Sequence, residues 1–166
     1  MNVLKSLLCA SVFAIATPVN AQDVPEKMPF DIPYGMPIAM EMARKAVDAA
    51  LVEARKRNWK MAVAVVSPSG DLTYFAKMDD TQLVSAEIAP NKARAAARFR
   101  RETKVFFDAM ETGHPYVVGL HKDVVSSPGG IPIILGGKLI GGIGCSGGTG
   151  QQDAIVCQAG IEALGK

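Results

Sequence analysis

The sequence predicts an α+β fold, and three observations support that prediction. An apolar stripe with helical spacing runs from about residue 37 to residue 58. Two pairs of short apolar runs, at 61–78 and 131–144, are each interrupted by turn residues, as in β-hairpins. A glycine-rich loop follows the last run and leads into a closing helix at about 153–164. Helices and hairpins therefore alternate along the chain.

The amino-terminal segment is typical of a secretory signal peptide. Lys5 precedes a short apolar run at 7–16, and small residues lead up to Ala21. The run is shorter than the roughly 20 apolar residues that cross a membrane, so we expect no membrane anchor. We therefore expect cleavage near Ala21, which makes residues 1–21 a signal peptide and places the mature protein in the periplasm or outside the cell.

Residues 22–166 have the size of one domain with a single core. The formal net charge of the whole chain is +2, and removal of the signal peptide takes away only one charged residue, Lys5. A nearly balanced charge on an exported protein argues against nucleic acid as a partner.

Prolines without a regular period predict an extended arm at residues 22–35, for which a strap between subunits is one interpretation. The folded domain is placed at residues 36–166. Its first helix carries one apolar stripe, whose early methionines we interpret as core residues rather than metal ligands. The stripe consists of Met36, Met40, Ala43, Val47, Leu51 and Ala54.

Side chains of the first strand alternate between two faces of different character. One face has larger side chains, and the small residues on the other face would let a helix pack closely over the sheet. The two faces are Met61, Val63 and Val65, and Ala62, Ala64 and Val66, respectively.

An alanine-rich stretch at about 85–101 predicts the helix that follows the first hairpin. Arg94, Arg98 and Arg101 recur at steps of four and three, which places three guanidinium groups along one stripe. Two interpretations remain open: a solvated face, or an anchor for an anionic ligand. Thr103 is predicted to be the N-cap of a short helix at 104–110.

The chain contains two histidines, His114 and His121, which flank a predicted loop. Each is either an ordinary loop residue or a metal ligand or general base. Cys145 and Cys157 remain after signal-peptide removal, and they form either a disulfide or two buried apolar side chains. The glycine-rich loop before the last helix either packs strand against helix or binds an anion on its backbone, and it matches no nucleotide-binding motif.

Four separated motifs resemble, in the same order, those of the GlcG/HbpS family, which includes the carboxy-terminal domain of PduO-type proteins. The resemblance covers residues 36–164. This chain departs from the family pattern at two places. The family usually has Met-Asp-Gly-Ala where this chain has Met78-Asp79-Asp80-Thr81, and it usually has a valine at the position of Cys145. The four motifs are Met78-Asp79-Asp80-Thr81 through Ala89, Asn91-Lys92-Ala93, Ser127 to Pro132, and Gly136 to Asp153.

The resemblance implies a profilin-like fold with a central antiparallel sheet flanked by helices. It also implies a homo-oligomer that binds a small molecule, with haem or a related tetrapyrrole as the leading ligand. Some family members place a haem-ligating histidine in the amino-terminal helix, which contains no histidine in this chain. Because the chain lacks a Cys-x-x-Cys-His motif, the haem would be bound non-covalently.

For a haem ligand, one of the two histidines, His114 or His121, or else Met110 would approach the iron. Arg94, Arg98 or Lys92 would then meet the propionate groups.

Two further hypotheses belong to other classes of protein. In a small-molecule enzyme, Asp79, Lys92 and the turn at Gly129 and Gly130 would line the pocket, because an acid and an amine together can transfer a proton. In an oligomeric accessory protein there would be no ligand. The sequence contains no self-sufficient catalytic motif, so binding is favoured over catalysis.

Overall fold

The computed structural model describes residues 26–28 and 30–165, so the predicted signal peptide lies outside the described residues. The elements are α1 (Met40–Lys56), β1 (Ala62–Val66), β2 (Leu72–Lys77), α2 (Ser85–Phe99), α3 (Lys104–Glu111), a 3-10 helix (Pro115–Gly119), β3 (Gly130–Leu135), β4 (Lys138–Ser146) and α4 (Gly150–Leu164). The strands form one antiparallel sheet in the order β2-β1-β4-β3. The predicted α+β class is therefore confirmed.

The sheet has helices on both faces. One face of β1 packs with α1 and α4, in a core that contains Met61, Val63 and Val65. The other face packs against α2, whose buried alanines meet Ala62 and Ala64. The small-residue face predicted from the sequence is therefore the face that α2 covers.

Two glycines of β4 allow α2 to lie very close to the sheet. A Cβ atom on Gly144 would lie 2.1 Å from the carbonyl oxygen of Ala89, and one on Gly142 would lie 2.4 Å from that of Ala93. Both distances are too short for any side chain. The glycines at these positions thus set the spacing between helix and sheet.

The extended arm binds to its own chain. β1 pairs with β4 only between Gly142 and Ser146, which leaves one side of the start of β4 open. The arm fills that side, because the Gly35 N–H donates to the Leu139 carbonyl (2.7 Å) and the Leu139 N–H donates to the Pro33 carbonyl (2.9 Å). Residues 33–35 therefore add a short pairing to the open side of β4 in their own domain.

The methionines that were predicted to be core residues are exposed, whereas Thr103 is the N-cap residue of α3, as predicted, but without a capping bond. Met36 and Met40 are 83% and 57% exposed, because α1 begins only at Met40 and its buried stripe starts at Ala43. Thr103 makes no capping bond to α3, because its hydroxyl is engaged by the loop before β3.

In the part of the chain that the structure describes, we find no helix with the length and hydropathy needed to cross a membrane.

The close approach of α2 to β4 predicts a specific loss of stability. Gly144→Ala should lower the free energy of unfolding by about 1–3 kcal/mol, because the added methyl group must push the helix away from the sheet. Denaturant unfolding measures this difference. Gly119→Ala is the matched control, since a Cβ atom there meets nothing within 4 Å. Equal stability of the two variants would contradict the packing described.

Candidate functional site

Lys92 and Asp153 form an ion pair inside the protein, which we call the buried pair. Their side chains are only 2% and 3% exposed. The Lys92 ammonium donates to Asp153 Oδ2 (2.7 Å) and to the Pro128 carbonyl (2.8 Å). The second carboxylate oxygen of Asp153 accepts a bond from the Gly148 N–H (3.0 Å). Lys92 comes from α2 and Asp153 from α4, so the pair joins the helices on the two faces of the sheet.

Burial acts on the protonation of both groups. It lowers the pKa of the Lys92 ammonium, and the Asp153 charge beside it counteracts that shift. Burial also raises the pKa of the Asp153 carboxyl, which is opposed by Lys92 and by the backbone N–H groups of Gly148 and Gly147. The charge of each partner therefore opposes the pKa shift that burial imposes on the other.

The predicted candidates Gly129 and Gly130 pack around the buried pair. Gly129 has a φ of +114°, and a Cβ atom there would lie 2.6 Å from the Asp153 Cβ. A Cβ atom on Gly130 would lie 2.4 Å from the Lys92 carbonyl oxygen. Thr103 fixes the same loop, since its hydroxyl donates to the Ser127 carbonyl (2.7 Å) and accepts from the Gly130 N–H (2.9 Å). These glycines permit close backbone packing.

The structure separates the acid and the amine of the predicted enzyme pocket. Lys92 is buried against Asp153, whereas Asp79 lines a different hollow together with Arg55, Lys60 and Lys77. The arrangement of Asp79 opposite Lys92 is therefore wrong, because the two residues lie at different places in the fold. Burial also removes Lys92 from the residues that could meet a haem propionate.

Cys145 and Cys157 are joined by a disulfide between β4 and α4, with their Cα atoms 5.7 Å apart. That separation is normal for a disulfide. The bond lies in the same region as the buried pair, because Asp153 and Cys157 are one helical turn apart in α4. Covalent and ionic links thus both hold α4 to the rest of the domain.

Arg94 and Arg98 lie side by side on the outer surface of α2, against the turn between β1 and β2. Arg98 donates from Nη1 to Asp123 Oδ2 (2.7 Å). The Asp123 side chain is 7% exposed, whereas that of Arg98 is 43% exposed. Arg101 points elsewhere and lies over the ring of Phe30, 3.3 Å from its centroid. The helix ends at Phe99, so helical spacing places only two of the three predicted arginines together.

The two histidines lie in different surroundings near the 3-10 helix. His121 is exposed and close to the arginines, with Nδ1 3.5 Å from Asp123 Oδ2 and 3.1 Å from the Asp123 backbone nitrogen. Its ring meets that of Phe99 edge to face, with centroids 6.4 Å apart. His114 instead faces Tyr116, with ring centroids 6.1 Å apart. The structure thus brings His121 together with Arg98 through Asp123.

Several large apolar side chains are exposed on the segment that runs from the end of α3 to His121. We call these side chains, together with His114 and His121, the 110–121 face. The apolar members are Met110, Tyr116, Val118 and Leu120, which are 38%, 66%, 49% and 53% exposed. Among the residues that the structure describes, no group of three or more His, Cys, Asp or Glu side chains is placed to hold a metal ion.

Comparison with known proteins identifies relatives over most of this chain. The sequence model of the haem-degrading, HbpS-like proteins matches residues 38–162. Protein GlcG of Escherichia coli K12 is 37% identical over 109 residues, which are 66% of this chain and 81% of GlcG. The corrinoid adenosyltransferase PduO of Salmonella typhimurium is 34% identical over 119 residues, which are 70% of this chain but only 35% of PduO.

Two solved structures share the fold and a quarter or more of the sequence. A PduOC–haem complex superposes with a TM-score of 0.72 and 30% identity, over 77% of this chain and 95% of that chain. HbpS superposes with a TM-score of 0.74 and 26% identity, over 84% of this chain and 99% of that chain.

The buried pair predicts a large effect of removing one partner. Lys92→Met should lower the free energy of unfolding by about 3–5 kcal/mol, because it leaves the Asp153 carboxylate buried without a cation. The double variant Lys92→Met/Asp153→Leu should recover most of that loss, since neither charge is then buried.

Denaturant unfolding compares these variants with Lys104→Met, which breaks the exposed pair with Asp108. An exposed pair contributes less than about 1 kcal/mol, so this control should be nearly as stable as the wild type. If Lys92→Met were no worse than the control, the pair would not be a structural constraint.

Proposed function

The chain belongs to the HbpS-like family, and on that premise we propose that it binds haem or a related tetrapyrrole non-covalently. One observation carries the proposal: the 30% identity to a chain solved in complex with haem, across 95% of that chain. The binding surface that we propose is the 110–121 face together with Arg94 and Arg98.

The chemistry of this surface fits a tetrapyrrole. Exposed Tyr116, Val118 and Leu120 offer the apolar contact that a flat macrocycle requires. The nearby guanidinium groups of Arg94 and Arg98 suit the carboxylates of propionate groups. The exposed imidazole of His121, or the half-buried one of His114, could reach an iron.

His121 is the iron ligand that we favour. Its Nδ1 accepts a bond from the Asp123 N–H, which requires the ring proton to be on Nε2. Binding a metal through Nε2 would move the proton to Nδ1, so that Nδ1 would give up the bond from the Asp123 N–H and donate instead towards the Asp123 carboxylate, 3.5 Å away. A carboxylate at that position orients a ligating imidazole. In the described part of the chain no carboxylate pairs with His114, and its Nδ1 faces the Thr112 hydroxyl.

We further propose that the protein is exported after cleavage near Ala21 and works as a homo-oligomer. The basic, apolar and small-residue order of the first 21 residues supports export. Exposed Met28, Met36 and Met40 near the arm support association, because large apolar side chains gain from burial in an interface. Intact mass of protein from the periplasm and light scattering of the purified protein test these two points.

Titration of the purified protein with haemin tests the proposed binding. We expect a saturable shift of the Soret band with fixed stoichiometry. His121→Ala should weaken the affinity by about 10- to 100-fold, because it removes the favoured ligand and its contact with Asp123. His114→Ala is the matched control and should change the affinity less than about twofold.

Three results would count against this proposal in different ways. A flat titration would contradict tetrapyrrole binding itself. An effect of His114→Ala alone would assign the iron to the other histidine. Unchanged spectra in both variants would remove both histidines as iron ligands.

A further inference from the structure

The turn between β1 and β2 holds Arg94 and Arg98 in fixed positions. The Nε–H of Arg94 donates to the Gly70 carbonyl (3.2 Å), and that of Arg98 donates to the Ser69 carbonyl (2.9 Å). Gly70 has a φ of +95°, and a Cβ atom there would lie 3.1 Å from Arg98 Nε. The turn therefore rests directly on the two side chains, and its glycine makes that approach possible.

Each guanidinium also makes a second hydrogen bond, from Nη1. Arg94 donates to the Asn91 side-chain oxygen (2.9 Å), and Arg98 donates to Asp123 Oδ2 (2.7 Å). A guanidinium has five N–H donors, so these bonds leave more than half of them unused. Within the described chain, Nη2 of both arginines makes no hydrogen bond to protein. Two guanidinium groups held by protein bonds thus retain donors on the same helix.

The two arginines line an open cleft of about 560 Å³, together with Asn91, Lys122, Asp71 and the Ser69–Gly70 turn. Its lining is mostly polar, which suits a small charged group better than the face of a macrocycle. Three cations line it against two carboxylates, those of Asp71 and Asp123.

Both carboxylates are already engaged by protein groups. The Asp123 carboxylate accepts from Arg98, and the Asp71 carboxylate accepts from the hydroxyls of Ser67 and Ser69. The bond from Ser69 is the main reason that the pKa of Asp71 lies below its usual range, with Ser67 and the two arginines adding to the effect. Asp71 therefore stays ionised, and Lys122 is the cation that the two acids do not balance.

We propose that this cleft binds an oxyanion, a carboxylate or a phosphate group, which Arg94 and Arg98 hold and Lys122 attracts at the rim. A guanidinium recognises such groups through parallel N–H donors. The oxyanion belongs either to a propionate of the tetrapyrrole, in which case the site rests on the proposed function, or to a separate small anion, in which case it does not.

Isothermal titration calorimetry with inorganic phosphate and with malonate at low ionic strength tests the site. We expect saturable binding of at least one probe at one site per chain. Arg94→Gln should weaken it about tenfold or more, because a charge-assisted bond is lost. Arg44→Gln is the matched control and should have no effect, since Arg44 lies in α1 beside Asp48.

Lys122→Gln distinguishes a direct loss of binding from a loss that local unfolding causes. Lys122 makes none of the bonds that hold the turn, so this variant should keep the wild-type melting curve while phosphate binds about two- to fivefold more weakly. Equal affinity in the wild type, Arg94→Gln and Lys122→Gln would overturn the site.

Haemin titrations with and without phosphate distinguish the two sources of the oxyanion. Competition, or a weaker haemin affinity in Arg94→Gln than in Arg44→Gln, would indicate a propionate. Saturable phosphate or malonate binding without competition would indicate a separate small anion. A protein that binds neither probe, and whose haemin response is the same in Arg94→Gln as in Arg44→Gln, would contradict the site. If the wild-type protein binds phosphate but does not bind haemin, only the tetrapyrrole proposal is contradicted.

Discussion

The buried pair of Lys92 and Asp153 is the interaction on which the rest of the structure depends. Moving an ammonium and a carboxylate out of water is unfavourable by several kcal/mol for each ion, so the fold must supply every bond that these charges make. The Pro128 carbonyl and the Gly148 N–H supply two of these bonds. Because Lys92 and Asp153 come from helices on opposite faces of the sheet, satisfying the pair fixes the two layers relative to each other.

Helix α2 carries residues with two different roles, some structural and some available for binding. α2 directs Lys92 into the interior, whereas Arg94 and Arg98 lie on its outer surface near Asp123 and His121. The interior pair is closed to a ligand by burial. The groups available for binding are therefore those that the structural network leaves exposed, and their positions follow from how α2 is held against β4.

Much of the fold could be predicted from the sequence, because its signals are local. Turn residues located both hairpins, and the small face of β1 indicated where α2 would lie. The partner of Lys92 could not be found in this way, since Asp153 is 61 residues away and only the pairing of strands brings α2 and α4 together. Helical spacing failed at Arg101 because the backbone turns left-handed at Arg100, with a φ of 54°. One sign was available in the sequence: Lys92 has the helical spacing of Ala89 and Ala96, which are buried, so its charge is expected to be buried too.

Hydrogen exchange of backbone amides in Asp153→Asn tests most directly whether the buried pair holds this region together. If it does, the amides of Gly130 and Cys145, which bond to Thr103 and Gly129, should exchange at least about tenfold faster than in the wild type. The amides that pair β1 with β2 should be unchanged under the same conditions. Equal acceleration in both regions, or none in either, would contradict a local constraint centred on Lys92 and Asp153.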